Sequence, residues 1–194
     1  ARMAEGGDRD PKNADPGPSI TMRLAPHLRE IPQPIISAVN GVAAGAGLGI
    51  ALASDIRLAS EGARFTSVFV KRSLVPDAGV SEILIALAGP GIAAEMSYTG
   101  RVYDARWALS KGLVNDVIPE DELMPQAEAL ANEIAANPPL AVKAIKGLFN
   151  VHHTSLNKVI LAEHRANDPL RGTNDQKEAV QAFLEKRSPK FTGT

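Results

Sequence analysis

The chain has 194 residues and no cysteine; 44% of its residues are hydrophobic, 22% are charged, and the formal net charge is −1 at pH 7. These values are ordinary for a globular protein with a sizeable core. Because the net charge is close to zero, the chain has no strong positive potential that would attract nucleic acid. The lack of cysteine excludes a disulfide framework, thiol catalysis and cysteine-ligated zinc, and it favours a cytoplasmic location.

The first 19 residues mix glycine, proline and charge, which predicts a flexible loop because such a composition buries little apolar surface. A short helix is expected over residues 20–30, and Pro32 and Pro34 end it. Residues 35–39 then have the apolar character of a buried strand, which leads into a glycine-rich segment.

Short strands and helices alternate over residues 20–119, which predicts an α/β core. After the glycine-rich segment we expect a helix through Ala53 and strands over residues 56–59, 63–66 and 113–118. A turn over residues 75–79 is followed by a helix through Leu87, and further helices are expected over residues 94–99 and 104–111. Beyond Pro119 the pattern is wholly helical. Residues 120–194 supply too little apolar surface to form a core of their own, so they are expected to pack on the α/β part or on another subunit.

The glycine-rich segment is the most informative part of the chain. Gly41, Gly45, Gly47 and Gly49 stand within nine positions and run into an apolar helix. Glycines let the backbone approach a ligand closely, and the first N–H groups of a helix have no partner inside it. The segment therefore predicts a site for a carbonyl oxygen or a phosphate, with a tight strand-to-helix junction as the alternative.

Nucleotide, metal and membrane functions find little support. The dinucleotide fingerprint fails because Ile50 stands where its third glycine is required, and no lysine completes a P-loop. No apolar run reaches the roughly 20 residues of a membrane span. The histidines lack the spacing of metal ligands, so no metal is expected; they are His27, His152, His153 and His164.

Several segments, in this order, resemble the enoyl-CoA hydratase/isomerase family, the crotonase superfamily. They include Pro34-Ile35-Ile36-Ser37-Ala38-Val39-Asn40-Gly41, Gly45-Ala46-Gly47, Ser54-Asp55-Ile56-Arg57, Leu74-Val75-Pro76-Asp77-Ala78-Gly79 and Ala182-Phe183-Leu184-Glu185-Lys186-Arg187. The resemblance covers nearly everything from residue 31 to 194. It implies an α/β fold, a spiral of strand-strand-helix turns, with a C-terminal helical region that builds homotrimers or hexamers. It also implies that the N-terminal spiral turns and the first oxyanion donor are absent from this chain.

The resemblance implies an acyl-CoA thioester as the ligand, with two backbone N–H groups holding the oxygen on which charge grows. The second of these donors aligns with the N–H of Ala46, between Gly45 and Gly47. The two glutamates that position water in hydratases align with Gly49 and Phe69, and neither of these residues can move a proton.

Isomerisation needs only one carboxylate, and Asp77 in the Pro-Asp-Ala-Gly turn is the candidate base. Apolar neighbours such as Phe69 and Leu74 would raise its pKa. The alternative is that Asp77 serves only the turn, as aspartate often does, and Glu82 is a reserve candidate.

The remaining expectations concern binding. Substrate contacts are assigned to Gly45, Gly47, Phe69 and Leu74. The resemblance also implies that Phe183 and Lys186 contact the nucleotide of coenzyme A. The alternative is that Phe183 lies in a helix interface and Lys186 in solvent. No cofactor is expected beyond the coenzyme A of the substrate.

The sequence therefore favours an enoyl-CoA isomerase. Two alternatives stay open. One is a hydratase-like or lyase-like activity with other means of activating water, and the other is a non-catalytic acyl-CoA-binding protein.

Overall fold

A computed structural model describes residues 17–150 and 156–194. The loop predicted over residues 1–19 falls almost wholly outside this part of the chain, as do His152 and His153. In chain order the elements are α1 (Leu24–Glu30), β1 (Ile36–Val39), β2 (Val42–Ala44), α2 (Ala46–Ala53), β3 (Ile56–Ser60), β4 (Arg64–Thr66), a first 3₁₀ helix (Val68–Arg72), α3 (Val80–Thr99), β5 (Tyr103–Asp104), α4 (Ala105–Ser110), β6 (Asp116–Ile118), α5 (Leu123–Ala135), α6 (Pro139–Asn150), α7 (Leu156–Asn167), a second 3₁₀ helix (Asp168–Leu170) and α8 (Asn174–Leu184).

The strands form two sheets whose connections make a spiral. β1, β3 and β6 lie side by side in one parallel sheet, with Ile36 opposite Ile56. In the second sheet β2 pairs with β4 in parallel, and β4 pairs with β5 in antiparallel. The chain thus places one strand in each sheet, crosses over through α2 and repeats the step, because parallel neighbours need such a crossover.

The core lies around α2 and α3. Apolar side chains of both helices are buried against β4 and the segment before β6. The largest buried side chains of these four segments are Leu48, Leu52, Phe65, Ile83, Leu84, Met96 and Leu113. A second cluster joins β3 and β6 to α5. Helix α5 is amphipathic and buries its apolar face, with Leu123 and Ala127, on this sheet.

Three boundaries differ from the sequence prediction. The segment before Gly45 contains the strand β2, which the small residues Ala43 and Ala44 do not signal and which pairing with β4 creates. The last strand begins at Asp116 because the side chain of Asn115 accepts a hydrogen bond from Arg57 N (2.8 Å). The first helix begins at Leu24, after a turn.

Helix α3 is kinked in the middle. Gly89 has φ 80° and ψ 165°, and Pro90 follows it, so the helical hydrogen bonds are interrupted there. Among the described residues, α3 is long and apolar enough to cross a membrane by length and composition alone, but the core helices of globular proteins can have the same length and composition. Its buried residues, among them Val80 and Met96, belong to the core described above.

A buried ion pair docks the C-terminal helices on the core. Lys146 of α6 places Nζ 2.9 Å from Asp55 Oδ2 and donates to the carbonyl of Gln33 at 2.8 Å. Asp55 also accepts from Arg29 Nη1 (3.0 Å) and from the backbone N–H of Ile35 (2.8 Å). Because a buried charge is tolerated only when it is paired and hydrogen-bonded, this network fixes α6 against the start of β1.

Candidate active site

The chain turns sharply from β2 into α2 at Gly45. Gly45 has φ 55° and ψ −125°, a conformation that side chains disfavour, and its N–H donates to the carbonyl of Thr66 (3.4 Å). The first hydrogen bond of the helix runs from Gly49 N to Gly45 O (3.2 Å). The N–H groups of Ala46 and Gly47 precede this bond, and no side chain caps the helix. Ala46 is half-buried and Gly47 exposed, so this helix end is open to a ligand oxygen.

Arg57 anchors the opposite end of α2. Its buried guanidinium donates from Nη1 to the carbonyls of Leu52 (3.3 Å) and Ser54 (2.6 Å), and from Nε to the carbonyl of Leu113 (2.8 Å). Burial lowers the pKa of Arg57 to about 10, and the positive charge of Arg29 acts in the same direction. A cation here complements the negative end of the helix dipole.

The turn that carries Asp77 packs directly on α2. A Cβ built on Gly49 would lie 2.7 Å from the carbonyl oxygen of Ala78 and 2.9 Å from its Cβ. Only glycine allows this approach without a shift of one element. The two segments that the sequence singles out are thereby brought together, with the Asp77 turn one helical turn from Ala46.

Asp77 is enclosed by this packing. Its Oδ1 is buried and has no hydrogen-bond partner among the described residues. Burial raises the pKa of the Asp77 carboxyl to about 6, although the positive charge of Arg171 opposes the rise. A carboxyl with this pKa is ionised at neutral pH and still has appreciable affinity for a proton, as general-base catalysis requires.

Phe69 and Leu74 give the site an apolar wall. Phe69 is 5% exposed, and its ring carbons lie 3.9 Å from where a Cβ on Gly45 would stand. Leu74 is half-buried against the same core and donates its N–H to the carbonyl of Phe69 (3.1 Å). Phe69 therefore fills space beside the start of α2.

Phe183 and Lys186 lie on another part of the molecule. The Arg72 guanidinium sits 4.0 Å from the centre of the Phe183 ring, which is 57% exposed. Lys186 is exposed and donates its N–H to the carbonyl of Phe183 (3.3 Å). The first 3₁₀ helix joins the two regions, since it carries both Phe69 and Arg72.

Helix α7 supplies supports for the Asp77 turn that the sequence prediction misses. Asn167 clamps Val75, because its Oδ1 accepts from Val75 N (3.0 Å) and its Nδ2 donates to Val75 O (3.3 Å). Glu163 accepts hydrogen bonds from Gly79 and Ser81. Both side chains are more than 80 positions from their partners. No local pattern signals such contacts.

The strand-strand-helix turns between two sheets, which superpose on solved structures of the same kind, define an α/β protein of the crotonase fold. The chain belongs to the enoyl-CoA hydratase/isomerase family, whose sequence model matches residues 4–194. The family consists of acyl-CoA enzymes, and this chain is one of them.

Individual relatives carry both activities in their names. YngF of Bacillus subtilis (strain 168), an enoyl-CoA hydratase/isomerase by name, is 40% identical over 176 residues, which are 90% of this chain and 68% of the relative. The 1,2-epoxyphenylacetyl-CoA isomerase of Escherichia coli (strain K12) is 36% identical over 97% of this chain and 76% of its own length. The crystal structure of an enoyl-CoA hydratase from Mycobacterium avium subsp. paratuberculosis K-10 superposes with a TM-score of 0.85 at 34% identity, over 89% of this chain and 70% of that one.

We expect Gly49→Ala to destabilise the protein by about 1–3 kcal/mol, because the new methyl group must displace the Ala78 turn. Urea unfolding measures this change. Gly147→Ala is the matched control, since a Cβ at that helical position meets nothing within 4 Å. The control should stabilise the protein by up to about 1 kcal/mol. Equal effects of the two variants would contradict close packing at Gly49.

Asp77→Asn should make the protein more stable at pH 7.5. The folded-state pKa of about 6 lies above the ordinary value of 3.8, so the folded state binds this proton more tightly. The contribution of Asp77 to the free energy of unfolding therefore falls as pH rises from 3.8 to about 6. Thermal melts at low pH and at pH 7.5 test this, with the exposed Asp121→Asn as control. An Asp77→Asn variant that is less stable than the parent at both pH values would contradict the prediction.

Proposed function

We propose that this protein moves the double bond of an enoyl-CoA thioester from C3 to C2. The observation that carries the proposal is the carboxyl of Asp77: its buried Oδ1 has no hydrogen-bond partner in the described part of the chain, and its turn packs on the helix with the free Ala46 N–H. A proton shuttle and an oxyanion donor are the two groups that such an isomerisation requires.

In the proposed reaction, the Asp77 carboxylate removes a proton from C2 of the 3-enoyl thioester. The electron pair of the broken C–H bond moves into the thioester, so negative charge develops on its carbonyl oxygen, where Ala46 N–H donates to it. A donor of this kind is worth about 3–4 kcal/mol of barrier. The dienolate then takes the proton back from Asp77 at C4, and the carboxylate is restored.

Hydration by two glutamates is disfavoured by the surroundings of Gly49 and Phe69. A side chain at Gly49 would collide with Ala78, and Phe69 fills its own position with a buried ring. Neither position offers a group that takes a proton from water. One relative that aligns with 97% of this chain is named for isomerising an acyl-CoA, although its named substrate is an epoxide, and other relatives are named hydratases.

The proposed substrate contacts follow from the same geometry. Gly45 and Gly47 let the thioester approach the helix end, and Phe69 and Leu74 present apolar surface to the acyl group. The lysine ammonium of Lys186, near Phe183, suits a phosphate of coenzyme A. The proposal includes no further cofactor and a cytoplasmic location, which the cysteine-free composition supports.

Turnover of 3-enoyl-CoA to the conjugated thioester tests the proposal, and formation of 3-hydroxyacyl-CoA from 2-enoyl-CoA is followed in parallel. Asp77→Asn should lower isomerisation by about 10²–10⁴-fold, because the proton shuttle is lost. In the parent, kcat/KM should rise with pH and reach half its maximum near pH 6, since only ionised Asp77 accepts the proton. Asp121→Asn is the control and should behave like the parent.

Other outcomes would point elsewhere. Hydration without isomerisation would show that unidentified groups activate water. Binding of the thioester with neither reaction would favour a non-catalytic acyl-CoA-binding role. Full isomerase activity in Asp77→Asn would remove the proposed base.

We also propose that the protein assembles as a homotrimer or as a hexamer made of two trimers. Helix α6 supports this, because Ile145, Leu148 and Phe149 lie on one face, and the last two are 67% and 66% exposed. Sedimentation equilibrium should give a mass of three or six times the 20.5 kDa chain. Leu148→Glu should lower this mass, whereas Lys177→Glu on α8 should not. A monomeric parent would contradict the proposal.

A further inference from the structure

We propose that Glu163 is a positioning residue, which holds the turn bearing Asp77 and supplies the neighbouring negative charge that strengthens Asp77 as a base. This inference rests on the proposed function of Asp77. It assigns to α7, in the C-terminal helical region, a part in proton transfer.

The Glu163 carboxylate is buried and fully engaged. It is 5% exposed; Oε2 accepts from Gly79 N (2.9 Å), and Oε1 accepts from Ser81 N (3.1 Å) and from the Ser81 hydroxyl (2.5 Å). These donors lie at the start of α3, whose N-cap residue is Gly79 and has no side chain of its own. The carboxylate therefore caps the helix from a distant element, where the positive end of the helix dipole favours a negative charge.

The residues that Glu163 holds belong to the Asp77 turn. Ala78 and Gly79 both have left-handed backbones, with φ values of 53° and 78°, and Val80 N donates to Asp77 O (3.0 Å). A left-handed alanine costs about 1–2 kcal/mol, so this turn persists only when its surroundings hold it. Asn167 holds the turn at Val75, and Glu163 holds it beyond Asp77.

The two carboxyls also interact electrostatically. Burial raises the pKa of Glu163, and the charge of Asp77 raises it further, whereas the hydrogen bonds from Ser81 and Gly79 oppose the rise. Burial is the main cause of the raised pKa of Asp77. A charge on Glu163 would add to this rise, because the repulsion between two carboxylates acts on both of them. Arg171 is the positive group that acts on Asp77 in the opposite sense. Loss of the Glu163 charge should therefore lower the pKa of Asp77.

Glu163→Gln in the purified protein tests both effects. We expect kcat for isomerisation to fall about tenfold while KM stays within about twofold, because a misplaced base impairs the transition state more than substrate binding. The acidic limb of the pH profile should move to lower pH by about half a unit or more. Glu133→Gln, an exposed position on α5, is the control and should change none of these quantities.

Two conservative variants separate position from charge. Glu163→Asp keeps the charge but shortens the reach, so it should lower kcat and leave the acidic limb near its parental pH. Ser81→Ala removes one of the hydrogen bonds to Glu163 and should lower kcat by about twofold to fivefold. If Glu163→Gln does not fold, these variants decide the question, and parental kcat in both of them would overturn the inference.

A titration of the side-chain carboxyls by carbon-13 NMR provides a readout that does not need turnover. The Asp77 signal is assigned by its absence in Asp77→Asn, and its midpoint should fall in Glu163→Gln. A folded Glu163→Gln variant with parental kcat and an unchanged Asp77 midpoint would overturn the inference. Isomerase activity that survives Asp77→Asn would instead overturn the proposed function, so the two failures are distinguishable.

Discussion

The contact between Gly49 and Ala78 is the constraint on which the rest of the site depends. At this point α2 and the Asp77 turn meet with no side chain from the helix between them. The separation between the start of α2 and the Asp77 turn is therefore set by backbone packing, which flexes little in a dense interior. The anchoring of α2 by Arg57 serves the same geometry from the far end of the helix.

The site contains an arrangement that opposes stability. A buried carboxyl oxygen without a partner is unfavourable, and so is a left-handed alanine next to it. The well-bonded carboxylate of Glu163 and the clamp of Asn167 on Val75 offset these costs locally. Protein sites that carry out chemistry often show this balance, in which one strained group is surrounded by satisfied ones.

Much of the fold follows from local sequence, whereas the supports of the site do not. Gly45 and the apolar run after it predict α2, and the Gly89-Pro90 pair explains why an apolar stretch yields two helical segments. The segment Thr173-Asn174-Asp175-Gln176 has the pattern of a helix capping box, and Thr173 Oγ1 accepts from Gln176 N (3.1 Å) at the start of α8. By contrast, β2 exists through its pairing with β4 and has no strand signal of its own.

The same distinction applies to the site residues. The Pro-Asp-Ala-Gly turn is visible in the sequence, and burial raises the pKa of Asp77 in the direction that its apolar neighbours predict. Arg57 and Glu163 look like ordinary charged residues of a strand and a helix. Their roles depend on carbonyls and N–H groups that only the folded chain brings near them.

The bracing of the Asp77 turn by α7 has a consequence for the order in which the protein matures. The turn is linked to Glu163 and Asn167 across 84 and 92 positions, and contacts of such separation form late because a long loop must close first. During synthesis α2 emerges well before α7, the helix that braces the Asp77 turn. A nascent or truncated chain that ends before α7 would therefore contain the Gly45 turn and α2 without the contacts that hold the Asp77 turn in place.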